Sequence, residues 1–292
     1  MENVDLHCHT NYSDGILSPK EVVRRAKEKG IKYLAITDHN SVDGVIEAVE
    51  EGKKIGVNIV PGVEIKFKGG EILGYFIDSK NKELNLCLNL IKKQSLENVA
   101  NYCMELNDFN YSLTFEKLKE EFPNAKNNLN KYHVCYFLFN HKYFSSIRKS
   151  ANFVFGKKLK SHKKLTFSLD KLINIIKNAG GVPVLAHPWI NEKSKSLLEE
   201  PRIEKLVSLG LKGIEIDQGD RNERRDENFI EKIKYVSKKY NLILTSGSDF
   251  HGDFLIDSNE NSFNHEMGSH NCDEEVLINL RKLSMSRQEV LI

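Results

Sequence analysis

The chain has 292 residues, a formal net charge of +2 and a hydrophobic fraction of 40%. This length allows one large domain with an insertion as well as two domains. The nearly neutral charge excludes a general electrostatic affinity for nucleic acid, so any attraction to anions must be local.

The chain shows no sign of export or of membrane attachment. Its five cysteines are scattered, odd in number and without a Cys-x-x-Cys pair, which argues against a disulfide framework. The N-terminal segment lacks the charged and then apolar pattern of a leader, and no apolar run is long enough for a membrane span. We therefore expect a cytoplasmic protein with no membrane contact and no obligate protein partner.

The first part of the chain alternates short apolar runs with helix-like stretches. The Ser18-Pro19-Lys20-Glu21 segment is a capping box with proline at the first helical position, which predicts the start of a helix. The predicted strands cover residues 4–7, 33–37, 58–64 and 72–77. Because strand and helix alternate, we expect a parallel sheet.

The pattern becomes helical from 84 to 165, where no convincing strand is found. The alternation returns with a helix from Ser168 and a closing helix from Asp273, and the strands between them are predicted at 182–186, 213–216 and 242–245. We predict one α/β barrel domain formed by residues 1–83 and 166–292, interrupted by a helical insertion or cap at 84–165.

Imidazole and carboxylate side chains follow the predicted strands at the same end. His7 and His9 are two residues apart on a strand and therefore face the same side. Later strands end at Asp38 and His39, Glu64, His187, Glu215, Asp249 and His251. Because ligands gather at the C-terminal ends of parallel strands, we expect these groups to meet.

This mixture of groups suits a hydrolytic metal centre. Imidazole and carboxylate without thiolate favour Zn²⁺, Mn²⁺ or Fe²⁺, and the number of groups exceeds the three or four ligands of one ion. A multinuclear centre can polarise a phosphoryl oxygen and lower the pKa of a bound water towards about 7. The sequence therefore predicts more than one metal ion.

The motifs together resemble the PHP family, named for polymerase and histidinol phosphatase. They are His7-Cys8-His9 with Asp14, Thr37-Asp38-His39-Asn40, Gly62-Val63-Glu64, Ala186-His187-Pro188 and Gly247-Ser248-Asp249-Phe250-His251-Gly252. The chain is most similar to the stand-alone phosphoesterases of nucleotides and short oligonucleotides, whose insertion and Ala179-Gly180-Gly181 segment it shares.

The resemblance implies a distorted, TIM-like (β/α)₇ barrel with a trinuclear centre of Mn, Fe or Zn, of which two to three ions would be bound. The implied ligands are His7, His9, Glu64 and Asp249 for one ion, Glu64 and His187 for a second, and Asp14, His39 and His251 for a third. A hydroxide bridging two ions would attack phosphorus.

One position departs from the family pattern. Similar proteins usually have His-Ile-Leu-Gly-Tyr after the glutamate, with the histidine as a ligand of the second ion, whereas this chain has Glu71-Ile72-Leu73-Gly74-Tyr75. Glu71 can replace that ligand and would favour Mn²⁺ or Fe²⁺ over Zn²⁺. The alternative is that Glu71 faces solvent and the second ion binds weakly.

The insertion carries a local basic segment. Between His141 and Leu165 there are eight Lys or Arg, including Lys157 and Lys158, and no Asp or Glu. Such cations can bind substrate phosphates, and the interleaved aromatic residues Tyr143, Phe144, Phe153 and Phe155 could stack a base. The alternative is a solvated basic face with the aromatic rings in the core.

Other residues receive roles from the resemblance or from their neighbours. Lys131-Tyr132-His133 falls where nucleotide-acting relatives usually have Arg-Pro-His, so Lys131 and His133 would bind the substrate phosphate, and His133 could be a general acid. The alternative for His133 is a structural role. Asp38 and Glu215 could orient ligating histidines. Cys8 points away from the metals, and His265 and His270 are assigned to the surface.

The sequence thus predicts a metal-dependent phosphoesterase that acts on nucleotides, such as nucleoside bisphosphates or mononucleotides, or on the ends of short oligonucleotides. A second possibility is histidinol-phosphate phosphatase, against which the long basic insertion argues. A third is a non-catalytic PHP module, against which the nearly complete ligand set argues.

Overall fold

A computed structural model describes residues 3–107, 109, 111–156, 167–216, 227–252, 266–270 and 272–285. Seven strands form one sheet in chain order. They are β1 (Asn3–Cys8), β2 (Ile31–Ile36), β3 (Asn58–Phe67), β4 (Gly70–Tyr75), β5 (Val182–Ala186), β6 (Gly213–Glu215) and β7 (Ile243–Thr245). The helices are α1 (Pro19–Glu28), α2 (Val45–Ile55), α3 (Lys82–Asn107), α4 (Phe115–Glu121), α5 (Lys131–Asn140), α6 (Ile147–Gly156), α7 (Leu169–Asn178), α8 (Glu192–Lys195), α9 (Arg202–Leu209), α10 (Glu227–Tyr240) and α11 (Glu274–Leu283).

The sheet curls until its first and last strands approach each other. The Leu6 amide donates to the Ser246 carbonyl at 3.4 Å, and Cys8 forms a parallel bridge with Phe250. The predicted α/β barrel of seven strands is therefore confirmed in distorted form. Among the described residues, no helix is both long and apolar enough to cross a membrane.

The sheet is not parallel throughout, as the alternation had predicted. Strand β4 runs antiparallel to both β3 and β5. Only Lys68 and Gly69 connect β3 to β4, which is too short for a parallel crossover. The consequence is that β4 begins, rather than ends, at the edge where the other strands end, and Glu71 lies at that edge opposite Ala186 of β5.

Two apolar clusters hold the barrel together. One fills its interior with residues such as Val4, Leu6 and Leu73, and the larger one lies between the outer face of the sheet and the surrounding helices. Ser18 and Glu21 form the predicted capping box of α1, and Ser168 caps α7. These local signals place two of the covering helices against the sheet.

The helices between β4 and β5 pack around a third cluster. It includes Tyr102, Leu118, Val134 and Phe137. Helix α3 belongs to both regions, because Leu84 and its neighbours pack against the barrel while the second half of the helix joins this third cluster. The long helix therefore connects the barrel to the helical segment.

Candidate metal centre and cleft

The carboxyl edge of the sheet brings the predicted imidazoles and carboxylates together. A register shift interrupts the β1–β2 pairing between Asp5 and Cys8, and His7 and His9 are both fully buried. Two residues of the cluster, His187 and Asp249, have positive φ angles of 22° and 54°. Non-glycine residues rarely adopt such angles, and they concentrate at functional sites.

The first group consists of His7, His9, Glu64 and Asp249. The Nε2 atom of His7 lies 3.3 Å from Glu64 Oε2 and 3.4 Å from Asp249 Oδ1. The Nε2 atom of His9 lies 3.5 Å and 3.1 Å from the same two oxygens. Ligands at about 2.1 Å around a tetrahedral ion are roughly 3.4 Å apart, so these spacings fit one metal ion.

A second group surrounds the carboxylates of Glu64 and Glu71. His187 Nε2 is 2.8 Å from Glu64 Oε1 and 3.5 Å from Glu71 Oε2. His39 Nδ1 is 2.9 Å from Glu64 Oε2 and 3.5 Å from Glu71 Oε1. Glu71 therefore faces the cluster, and its side chain is only 16% exposed.

A third group brings Asp14 together with three imidazoles. Asp14 Oδ1 lies 3.5 Å from His251 Nε2 and 4.0 Å from His9 Nδ1, and Asp14 Oδ2 lies 3.8 Å from His39 Nε2. His9, Asp14, His39 and His251 each offer one ligand atom within 4.8 Å of the others. His39 thus stands between the second and third groups.

Six buried polar atoms of this cluster lie near opposite charges but form no hydrogen bond. Among the described residues, six of the ten buried side-chain atoms without a partner belong to it: His7 Nε2, His9 Nε2, Asp14 Oδ1, His39 Nδ1, Glu64 Oε2 and Glu71 Oε1. Each unpaired buried group costs about 1–3 kcal/mol, so such a concentration requires an explanation. Divalent ions would satisfy all six, and the donor set fits them.

Charge interactions within the cluster shift its pKa values in different directions. Burial and the neighbouring His251 and His39 lower the pKa of His9 to about 3. Burial opposes ionisation of Glu64, but the adjacent histidines hold the pKa of that carboxyl well below its usual range. Burial would lower the pKa of His187, yet Glu64 and Glu71 raise it to about 9. Without metal, the cluster is therefore a network of carboxylate and imidazolium groups that includes a neutral His9.

Two further carboxylates hold the ligating histidines in place. Glu215 Oε1 is 2.9 Å from His7 Nδ1, and its other oxygen accepts the amide of His187 at 2.9 Å. Asp38 was expected to support its neighbour His39 but instead accepts the amide and hydroxyl of Thr10, both at 2.7 Å, and the hydroxyl of Ser13 at 2.5 Å.

The hydroxyl of Ser13 extends this support to His9. Ser13 Oγ lies 3.5 Å from His9 Nδ1 while it donates to Asp38, so Asp38 orients His9 through Ser13. Thr10 and Ser13 were not among the predicted site residues. Their only signal is the position of two hydroxyl residues between His9 and Asp14.

The helical segment contacts the loop that carries Asp14. Asn128 Nδ2 donates to the carbonyls of Tyr12 and His39, at 3.0 Å and 2.7 Å. Asn130 Nδ2 donates to Asp14 Oδ2 at 3.1 Å, and the Tyr136 hydroxyl donates to the Asp14 carbonyl at 2.9 Å. We call these contacts of Asn128, Asn130 and Tyr136 the latch. The sequence analysis did not identify any of the three.

A cleft with a volume of about 1210 Å³ opens between the cluster and the helical segment. His39 and Glu71 lie at its inner end, and α3, α5 and α6 form the opposite wall. Its cationic lining residues are Lys66, Lys68, Lys131 and Lys193. The rings of Tyr132 and Phe155, 5.0 Å apart between centroids, complete the wall and are 40% and 48% exposed.

Comparison of the sequence with known protein families shows to which family this chain belongs. The model of the PHP domain matches residues 5–179, which carry His7 to Glu71 of the cluster. The chain belongs to the PHP family.

Similar PHP proteins include enzymes that act on nucleotides and RNA. The chain is 29% identical to a 3′,5′-nucleoside bisphosphate phosphatase of Chromobacterium violaceum, over 86% of this chain and 88% of that protein. It is 25% identical to a 5′-3′ exoribonuclease of Haemophilus influenzae, over 85% and 89%. A solved structure of a candidate metal-dependent phosphoesterase from Bifidobacterium adolescentis has the same fold, with a TM-score of 0.84, 22% identity and 97% coverage of both chains. The predicted family is confirmed, and the predicted phosphoric ester hydrolase class agrees with these relatives.

Only some of the residues predicted to bind substrate line the cleft. Lys131 lines it, and its ammonium lies 5.1 Å from the ring centroid of Tyr102 and 5.6 Å from that of Phe155. Lys157 and Lys158 lie outside the described residues. Of the aromatic residues considered for base stacking, Phe155 lines the cleft. Phe144 and Phe153 instead pack against the third apolar cluster, in agreement with the alternative that places the aromatic rings in the core.

The structure does not bring His133 to this cleft. Its ring is 2% exposed, and Nδ1 accepts the Asn130 amide at 3.0 Å in a capping box at the start of α5. Burial lowers the pKa of His133 to about 4, although the Asp14 charge and the Ser13 carbonyl oppose this. This geometry favours the structural alternative over a general acid or a phosphate donor.

Two remaining expectations concern residues near the barrel. Cys8 is fully buried in the outer apolar cluster, as expected of a side chain that points away from the metals. His270 was assigned to the surface, but that prediction is wrong, because it is 4% exposed and its Nδ1 lies 2.7 Å from Ser269 Oγ. His265 lies outside the described residues.

Proposed function

We propose that this PHP protein is a metal-dependent phosphoesterase that removes phosphate from nucleotides, including nucleoside bisphosphates, or from the ends of short oligonucleotides. The observation that carries this proposal is the group of buried ligand atoms without hydrogen-bond partners at the inner end of a lysine-lined cleft. The activities named for the similar proteins support the same substrate class.

The cluster would bind two to three Mn, Fe or Zn ions. His7, His9, Glu64 and Asp249 fit one ion; Glu64, Glu71 and His187 a second; and Asp14, His39 and His251 a third. Bound metals would supply Lewis acidity towards the phosphoryl oxygens and a nucleophilic water at neutral pH. Glu215 and Asp38 would keep the ligating imidazoles oriented for this task.

The cleft residues would select a nucleotide rather than a small phosphate ester. Lys68 and Lys193 can neutralise phosphate oxygens as they approach the cluster. The half-exposed rings of Tyr132 and Phe155 offer an aromatic surface on which a base can stack. A volume of about 1210 Å³ exceeds what a compact zwitterionic ester needs and admits a nucleotide or the end of an oligonucleotide.

A phosphate-release screen tests the proposal. Metal-free protein would be reloaded with Mn²⁺, Fe²⁺ or Zn²⁺ and assayed with mononucleotides, 3′,5′-nucleoside bisphosphates, a 5′-phosphorylated short RNA and histidinol phosphate. We expect hydrolysis of at least one nucleotide class, and metal analysis of the loaded protein would count the ions.

Two histidine variants provide the matched comparison. His7→Ala should reduce kcat/KM by at least about a hundredfold, because it removes a buried ligand atom. His141→Ala removes an exposed imidazole that pairs with Glu121 and should leave the activity unchanged. Hydrolysis of histidinol phosphate alone would refute the proposal, and the absence of both bound metal and activity would favour a non-catalytic module.

A further inference from the structure

A lysine is directly paired with the unusual carboxylate of the cluster. Lys66 of β3 and Glu71 of β4 are cross-strand partners in the antiparallel register, and Lys66 Nζ lies 3.2 Å from Glu71 Oε1. Opposite charges on such partners attract each other, and the short connection between the two strands fixes their register. The hairpin therefore holds the Lys66 and Glu71 side chains next to each other.

Glu71 contributes its charge inside the cluster rather than at the surface. Its two oxygens each lie 3.5 Å from an imidazole nitrogen, Oε1 from His39 and Oε2 from His187. With Glu64, Asp14 and Asp249 nearby, Glu71 adds a further negative charge to a site that would receive an anionic substrate. An uncompensated carboxylate here would bind metal more strongly and repel phosphate.

Lys66 pairs with this carboxylate at the wall of the cleft. Its side chain is 49% exposed, and it lines the cleft beside His39 and Glu71. The ammonium and the carboxylate therefore both face the space that a substrate would occupy. Coulomb attraction at this short distance acts in a partly desolvated site and is weakly screened by salt.

We infer that Lys66 offsets the charge of Glu71, so that the pair acts towards metal and phosphate as a neutral ligand would. The phosphate part of this inference rests on the proposed function. Two opposite consequences follow for a variant without the ammonium. Glu71 would attract a divalent ion more strongly, and the cleft would attract phosphate less strongly.

A double-mutant cycle on Lys66→Met and Glu71→His tests the inference. Lys66→Met keeps the length of the side chain but removes its charge, and Glu71→His supplies a neutral ligand. With Glu71 present, Lys66→Met should tighten Mn²⁺ binding by the metal-free protein and weaken binding of inorganic phosphate to the Mn-loaded protein, each by about tenfold. Glu71→His alone leaves the ammonium uncompensated and should shift both affinities in the opposite direction, so the double variant should return to within about twofold of the wild type for each.

Lys68→Met is the matched control, because Lys68 lines the same cleft on the same hairpin. Its effect on phosphate binding should be equal with and without Glu71→His. If the Lys66→Met/Glu71→His double variant stays as far from the wild type as Lys66→Met does, or if Lys66→Met weakens Mn²⁺ binding, the charge offset is refuted. If the wild-type protein hydrolyses no phosphoester, the proposed function fails, but the Mn²⁺ titrations still confirm or refute the offset.

Discussion

Glu215 shows how one buried carboxylate can organise two candidate metal ligands. It accepts from the ring of His7 and from the amide of His187, so it fixes both the imidazole orientation of one ligand and the backbone position of another. Its side chain is 3% exposed. Loss of such a partner of a ligating histidine typically weakens metal binding or activity about 10–100-fold.

We expect Glu215→Gln to weaken metal binding by about 10–100-fold. The glutamine side chain has only one accepting oxygen, so it cannot accept from both His7 and His187 as the two carboxylate oxygens do. The measurement is a metal titration against a competing chelator. Glu51→Gln is the control, since Glu51 is also a buried carboxylate but pairs with Arg24 away from the cluster. Equal metal affinities of the two variants would contradict the orienting role.

The candidate metal ligands and the supporting carboxylate Glu215 could be predicted from the sequence, whereas the supporting hydroxyl residues and the lysine could not. Imidazoles and carboxylates placed after successive strands form a pattern, and strand geometry predicts that they meet. Ser13, Thr10 and Lys66 have no such pattern, because hydroxyl and lysine residues are common on any chain. Only the folded positions reveal that Ser13 supports His9 and that Lys66 touches Glu71.

At the scale of elements, the direction of β4 was the main error. Alternating strands and helices suggested a parallel sheet, but no helix separates β3 from β4. The Lys68-Gly69-Gly70 segment contained the correct signal, because a glycine-rich connection of this length is typical of a hairpin. Gly69 has a φ of 125°, which residues with a side chain rarely adopt.

The latch makes the helical segment part of the metal centre. Its contacts reach the loop of Asp14 from residues more than a hundred positions along the chain, as with Tyr136 and the Asp14 carbonyl, 122 residues apart. Sequence analysis could not anticipate them, because side-chain amides and a tyrosine hydroxyl can bond to any nearby backbone carbonyl. The position of α5 therefore influences the geometry of Asp14.

Tyr136→Phe should lower the free energy of unfolding by about 1 kcal/mol and weaken metal binding at the Asp14 group, because it removes the bond that holds this loop. Tyr102→Phe is the control, since it removes a similar buried bond, to the Val154 carbonyl, within the helical segment. Both variants should lose similar stability in urea unfolding. Only Tyr136→Phe should change the metal content, and unchanged metal content would contradict a role of the latch.

At the scale of the molecule, the cluster couples metal binding to pH. Burial would lower the pKa of His251, but Asp249 and Asp14 raise it to about 9, and the pKa of His187 is also raised to about 9. Both imidazoles are therefore protonated at neutral pH in the metal-free protein, and a metal ion must displace these protons. We expect proton release on Mn²⁺ binding and tighter binding as the pH rises towards about 9. Calorimetry in two buffers of different ionisation enthalpy measures this, and identical heats would contradict it.

The stability of the metal-free protein should change with pH in the opposite direction. The folded pKa values of His187 and His251, about 9, exceed the ordinary value of 6.5 expected in the unfolded chain. Their contribution is therefore fully present below about pH 6.5 and is lost as the pH rises through about 9. Urea unfolding of metal-free protein across this range should show a falling midpoint, and Mn-loaded protein should show a weaker trend.

The candidate metal centre draws its imidazoles and carboxylates from almost the whole length of the chain, from His7 to His251. While the protein is being synthesised, its early segments can fold and present His7, His9 and His39, but Asp249 and His251 are still missing. The metal set can therefore be completed only after β7 and the loop behind it have left the ribosome and closed the sheet against β1. Capture of the proposed ions would thus be among the last steps of maturation, and the proposed hydrolytic activity would have to wait for it.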